Sequence, residues 1–247
     1  MRCRANSPGG AFLFERANHR DVAVVLQSLD ASALARRHCH FGGGTAMALR
    51  FGEYRESVDI DFMVSDLDGY RELRQALGQL RTLEPIVRSG MHLELARETR
   101  ADQYGIRTQV RAGTSTIKFE IVLEARIELA QPSDADRICG VQTLAPIDLA
   151  AEKLLANADR WRDDSVYSRD VIDLAMMQAD RALLESACEK AEKAYGGAIR
   201  SSLAQAVQLL QSQPTRLDRC MKALAIDSVT KAQLWQAIKI VARRLLA

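Results

Sequence analysis

Apolar positions along the chain keep two rhythms, and the change falls near Pro146. Upstream, short runs rich in β-branched and aromatic residues alternate with stretches of three- and four-residue spacing. Downstream the helical spacing continues to the end, with Pro recurring only at Pro214 and Gly only at Gly196 and Gly197. The pattern predicts an α+β chain: a mixed sheet with flanking helices over 1–145, then an all-helical lobe over 146–247. No repeat, heptad run or low-complexity stretch interrupts either half.

In the first half the spacing predicts a helix over 20–34, a short strand over 37–41, a chain break at Gly42-Gly43-Gly44 and a helix over 45–51. SVDIDFMV (57–64) alternates as a strand, with Val58, Ile60 and Phe62 on one face and Asp59 and Asp61 on the other. A helix over 67–80 follows, and then a meander of strands over 86–88, 92–95, 103–111 and 115–123. In the last of these Ile117, Phe119, Ile121 and Leu123 form the inward face, and Lys118 and Glu120 point the other way. The second half opens with Pro146 and Asp148 at a helix start. A polar link at 162–165 leads to a helix containing SRDVIDLAMM. Three or four more helices follow, broken near Gly196-Gly197, Pro214 and Asp227-Ser228.

Composition narrows the functional classes. With 34 basic and 32 acidic residues the chain is neither a polybasic nucleic-acid tail nor an acidic disordered segment. Cys3, Cys39, Cys139, Cys188 and Cys220 are scattered, form no metal-ligand spacing, and are expected to be reduced and mostly buried. His38-Cys39-His40 cannot turn three side chains toward one ion on a strand. The N-terminal stretch has too short an apolar run for a signal peptide, and no stretch approaches the length of a membrane span. The expectation is a cytoplasmic protein without a membrane partner.

Three segments carry candidate chemistry. A strand, then Gly-Gly-Gly-Thr, then a helix brings bare backbone N–H groups and a helix N-terminus to one point, an arrangement that attracts phosphate. Neither a dinucleotide fingerprint nor a P-loop is present. Asp59 and Asp61, at i and i+2 of a strand, lie roughly 6.6 Å apart on one face and can converge on Mg²⁺. That ion favours one or two carboxylates completed by substrate phosphates. Lys118 and Glu120 repeat the pattern on a second strand. Placed beside the first, that strand would bring a third carboxylate.

FGGGTAMALRFGEYRESVDIDF resembles the opening motif of the AbiEii/AbiGii toxin group of the nucleotidyltransferase superfamily: Gly-Gly-[Ser/Thr], a short helix, then Asp-x-Asp, with Arg-x-Ser ahead of the aspartates. IKFEI, PIDLAAEKLLA and SRDVIDLA agree in order with that group's Lys-x-[Asp/Glu] strand, Lys-bearing helix and Arg-Asp-x-x-Asp helix. The resemblance covers about residues 20–175. Thr45 stands where Ser is commoner, and Glu120 where Asp is common.

The resemblance implies a nucleotidyltransferase-fold sheet whose cleft is completed by the helical lobe. It implies that Gly43, Gly44 and Thr45 hold the β/γ-phosphates of a nucleoside triphosphate and that Asp59 and Asp61 bind Mg²⁺, or Mn²⁺ in its place. Glu120 would join them as ligand or as base for the incoming hydroxyl. Lys118 and Lys153 would offset triphosphate charge. Arg169, paired with Asp173 at i,i+4, would close the nucleotide side, and Asp170 or Asp173 would orient Lys153, with Asp170 favoured.

The implied activity moves a nucleoside monophosphate onto an acceptor hydroxyl, tRNA or another RNA, as the toxin of a toxin–antitoxin or abortive-infection pair with a cognate antitoxin. A small-molecule nucleotidyltransferase of the antibiotic-modifying kind, or a catalytically idle nucleotide-binding regulator, are the alternatives. The final 34 residues carry seven basic and two acidic side chains, an excess that fits either an RNA backbone or a solvated helix face.

Overall fold

In a computed structural model of the protein, residues 14–213 and 215–246 are described. Cys3, the N-terminal stretch and the break at Pro214 lie outside them. The chain divides into two compact units. The first takes the chain up to Glu53, Ser57–Leu123 and Pro132–Thr143; the second takes Tyr54–Glu56, Glu124–Gln131 and the chain from Leu144 onward.

The first unit is built on a five-stranded mixed sheet. Its strands are β1 (His40–Gly42), β2 (Ile60–Val64), β3 (Leu95–Ala101), β4 (Gly105–Ala112) and β5 (Ser115–Leu123), in spatial order β1-β2-β5-β4-β3. Only β2 and β5 run parallel; the other pairs are antiparallel. The two-residue period sorts the faces. Phe41, Phe62 and Phe119 are fully buried side by side across β1, β2 and β5, with ring centroids 5.7 and 5.5 Å apart. Asp61, Lys118 and Glu120 take the opposite parity. A hairpin of β6 (Arg137–Ile138) and β7 (Val141–Gln142) turns through Cys139 and Gly140, both at positive φ, the geometry a two-residue hairpin requires. The sequence spacing gave no hint of strands this short.

Four helices flank the sheet: α1 (Ala17–Ser28), α2 (Ala31–Ala35), α3 (Gly43–Arg50) and α4 (Leu67–Leu80). The helix expected over 20–34 is two helices, because the Asp30 carboxylate accepts the N–H groups of Ser32 and Ala33, both at 2.9 Å, and starts a new one. The strand expected over 86–88 is replaced by a 3-10 turn at Glu84–Ile86, which Pro85 opens. There Val87 makes only an isolated bridge to Leu29, and β3 begins at Leu95, where 92–95 was expected as a strand.

The second unit is helical: α5 (Pro146–Arg160), α6 (Arg169–Met176), α7 (Arg181–Tyr195), α8 (Ala198–Ser212), α9 (Arg216–Ala223) and α10 (Lys231–Leu246). Helix α5 packs against α6, α7 and α8 and is buried nearly all round from Asp148 to Asn157. A helix enclosed in this way must find partners inside the protein for most of its polar groups. No helix among the described residues is long and apolar enough to cross a membrane. Cys39, Cys139, Cys188 and Cys220 are free thiols, and all but Cys139 are buried.

Candidate functional site

In the first unit, strand pairing brings together motif segments far apart in sequence. Gly42 pairs with Asp61 across β1 and β2, and Asp61 pairs with Glu120 across β2 and β5. The third carboxylate therefore stands beside the second, as the two-strand reading required. Asp59 is exposed and precedes β2, which begins at Ile60, so the strand is shorter than expected and Val58 lies outside it.

Gly43 has φ +68°, and a Cβ there would overlap the Asp61 carboxylate. Glycine is thus needed twice over, for the left-handed backbone and for the close approach. Helix α3 begins at Gly43 itself, so its first free N–H groups open beside that carboxylate.

Charge is balanced locally. Lys118 pairs with one oxygen of Glu120, and the Nε of Arg107 donates to the other at 2.6 Å. Arg107 also reaches Asp102 at 3.0 Å. Partial burial of Glu120 opposes its ionisation, but the two cations outweigh it and hold the carboxyl below its ordinary value. Lys118 loses some hydration too, yet Glu120, Asp61 and Asp59 together raise its pKa. Among the described residues no group of three or more His, Cys, Asp or Glu forms an ion cage. The donor set beside Gly43 is nevertheless carboxylate oxygen without sulfur or imidazole, which suits a hard divalent cation sharing its shell with substrate phosphate.

Thr45 is fully buried, and its hydroxyl donates to Ser57 Oγ at 2.9 Å. The Ser57 N–H in turn donates to Nε2 of the fully buried His19 at 3.3 Å, which leaves the ring proton on Nδ1, facing Glu53 Oε1 at 2.8 Å. Burial raises the pKa of Glu53, but the N–H groups of Glu15 and Arg16 and the His19 ring lower it further. His19 and Glu53 thereby brace the segment that carries Asp59. Sequence reasoning missed both residues, since an isolated His in a helix carries no spacing signal.

The second unit holds a buried network around α5 and α6. Asp173, fully buried, accepts from Tyr54 Oη at 2.6 Å and from Arg55 at 2.7 and 2.9 Å, and Lys153 Nζ lies 2.7 Å away. Burial disfavours its charge, but the Arg55 guanidinium and the Lys153 ammonium prevail and hold the carboxyl well below the usual range. Asp170 is gripped by Arg160 at 2.7 and 2.8 Å and lies 3.4 Å from Lys153. Lys153 is thus held by both candidate acids and is nearer to Asp173.

The expected Arg169–Asp173 pair does not form. Asp173 turns inward with its oxygens engaged by Tyr54, Arg55 and Lys153, while Arg169 sits half-exposed on the first turn of α6. Tyr54 and Arg55 stand in the YRES stretch, directly ahead of the aspartates, which was their one sequence signal. Arg160 had none.

A further charged cluster joins Glu124, Arg126 and Glu152. Arg126 donates to Glu124 at 2.6 Å and to Glu152 at 2.9 Å. Burial and the neighbouring Glu124 charge push the Glu152 carboxyl up to about 8, and its Oε1 has no hydrogen-bond partner.

The comparisons with known proteins bear on the family and the fold. The family model described as nucleotidyl transferase AbiEii toxin, type IV TA system, matches residues 25–240. Two crystal structures from Helicobacter pylori share the fold. One, a protein described as a candidate nucleotidyltransferase, is 18% identical with a TM-score of 0.50, over 93% of this chain and 95% of its own. The other, JHP933, is 16% identical with a TM-score of 0.51, over 94% of this chain and 95% of its own. No curated protein matches the chain in sequence.

Proposed function

The chain belongs to the AbiEii nucleotidyl transferase toxin family of type IV toxin–antitoxin systems, and from that premise we propose that it transfers a nucleoside monophosphate from a nucleoside triphosphate to an RNA hydroxyl, tRNA being the first candidate, and releases pyrophosphate. The observation that carries the reading is the pairing of Gly42, Asp61 and Glu120 across three adjacent strands. It sets a bare glycine turn, a helix start and two carboxylates within one patch.

In this reading the N–H groups at Gly43 and Gly44 receive the β/γ-phosphates, and Thr45 holds the turn through Ser57. Asp59 and Asp61 would hold Mg²⁺, with Mn²⁺ as substitute, and Glu120 would join them as ligand or base when Lys118 turns from it to phosphate. A bound divalent ion supplies charge neutralisation at the reacting phosphate and lowers the pKa of the attacking hydroxyl. The protein's own groups mainly position the reactants. Lys118 offsets triphosphate charge in the sheet unit, and within the helical unit Asp170 and Asp173 fix the Lys153 ammonium. The protein acts in the cytoplasm and is restrained by a cognate antitoxin.

The test is incubation with each labelled triphosphate, Mg²⁺ and total tRNA, with Asp59→Ala as control. Label should enter RNA only with the unsubstituted protein. Transfer at the unsubstituted rate by Asp59→Ala would remove the site assignment. Label moving to an aminoglycoside and not to RNA would replace the acceptor class.

A further inference from the structure

Strand β3 is the edge of the sheet, and its register against β4 shifts twice, between Leu95 and Arg97 and between Arg97 and Arg100. Bulges at an edge re-aim side chains. Here they are pinned by the Thr108 hydroxyl, which donates to the Arg97 carbonyl, and by the Thr99 N–H, which donates to the Arg81 carbonyl at 3.1 Å. Beside the bulged strand lies a groove of about 630 Å³ whose lining includes Arg81, Arg97, Thr99 and Arg100.

The charges in this groove are not fully spent. Arg81 meets Glu98 at 3.3 Å, in a pair exposed on both sides. On the neighbouring strand Arg107 and Arg111 are tied to Glu120, Asp102 and Glu94. Arg97 and Arg100 are exposed and have no carboxylate partner among the described residues. Thr99 is 3% exposed and its Oγ1 has no hydrogen-bond partner. Two exposed, uncommitted guanidiniums at a single groove suit phosphate oxygens, which the planar fork of arginine binds in pairs.

Register connects the groove to the carboxylates. Arg100 pairs with Arg107, Arg107 with Glu120, and Glu120 with Asp61, one residue from each of four adjacent strands. Three interstrand steps amount to about 14 Å. A small acceptor at Asp61 cannot touch both ends of that row, whereas an oligonucleotide can.

We propose that the groove lined by Arg81, Arg97, Thr99 and Arg100 binds the phosphodiester backbone of a single-stranded RNA acceptor upstream of its reacting 3′ hydroxyl. The proposal rests on RNA as the acceptor. Arg97 and Arg100 take the phosphates, and the row through Arg107 leads the strand to the carboxylates.

The test is equilibrium binding of a short labelled single-stranded oligoribonucleotide with a free 3′ hydroxyl, across a series of salt concentrations and without nucleotide. The Arg97→Gln/Arg100→Gln double variant should lose about tenfold in affinity. The slope of log affinity against log salt should fall by about 1.4, two contacts at ~0.7 each. Arg36→Gln, an exposed arginine on another element, should change neither.

Unaltered affinity and slope in the double variant, an equal loss in Arg36→Gln, or no binding by the unsubstituted protein would each overturn the groove. Binding is read apart from turnover, so the two readings can fail separately. Groove-dependent binding without nucleotide transfer refutes the transferase reading alone. Transfer to RNA with undiminished binding by the double variant refutes the groove alone.

Discussion

Asp59, Asp61, Lys118 and Glu120 stand on or beside the open face of a sheet, whereas Lys153, Asp170 and Asp173 lie inside a helical unit, each no more than 5% exposed. The first group makes its ion pairs at the surface, with Lys118 and Arg107 both near half exposure. The second is bonded on several sides at once, Asp173 alone engaging three side chains. Pairs at the surface exchange partners readily, because water replaces what is lost. Buried pairs do not, because a lost partner leaves a charge stranded in low dielectric. The contrast separates surface charges that can change partners from buried charges that hold geometry. It also predicts that equivalent substitutions in the two groups fail in different ways.

The largest separation should come from the aspartates. Asp59→Ala should reduce transfer by about a thousandfold, the loss expected when several kcal/mol of charge stabilisation disappear at the reacting phosphate. Its unfolding temperature should not move, since Asp59 is exposed. Asp173→Ala should do the reverse to the fold and strand Arg55 and Lys153. A loss of about 3–5 kcal/mol is expected, equivalent to a fall of roughly 10 °C in a chain of this size. Calorimetry of both variants checks the pair. A stable Asp173→Ala protein would erase the contrast.

How far the sequence could carry these distinctions depended on the range of the interaction. Ile60 and Phe62, like Ile117, Phe119 and Ile121, alternate with polar residues, so both strands and their outward charges were legible. The pairing of Asp61 with Glu120 was legible only as a condition, because residues so far apart in sequence are brought into register only by the whole sheet. The i,i+4 rule misassigned Asp173 to Arg169 because it treats the helix as exposed, and the face of α6 bearing Asp173 is buried. Arg55 announced itself only through the YRES motif. Arg160, which holds Asp170 from the end of α5, reads as an ordinary terminal basic residue.

A smaller effect comes from Glu152. Its carboxyl, pushed up to about 8 by burial and by Glu124, holds a proton in the folded state that the unfolded chain releases near 4.5. Between those values the native protein binds the extra proton, so stability falls as pH rises from about 4.5 to about 8 and levels above it. Glu124 is opposed by its own burial but held below its ordinary value by Arg126, so its contribution changes only at more acid pH. Glu152→Gln cannot ionise and should flatten the decline, measured as unfolding midpoints from pH 5 to pH 8. Should Glu152→Gln follow the same decline as the unsubstituted protein, the proton resides elsewhere.

The smallest effect on the fold, and the sharpest on the open site, should come from Arg107→Gln. Arg107 is 45% exposed, and its bonds to Glu120 and Asp102 are surface pairs, so the loss in stability should stay below about 1 kcal/mol. Glu120 would keep Lys118 but lose one of the two cations that hold its pKa down. Its pKa therefore rises, and any step that needs the Glu120 carboxylate is lost at a higher pH than before. A pH–rate profile should show the acidic limb displaced upward with the alkaline limb fixed, whether Glu120 serves as ligand or as base. An unmoved acidic limb would mean that Glu120 only anchors Lys118 and Arg107. The reacting carboxylates would then reduce to Asp59 and Asp61.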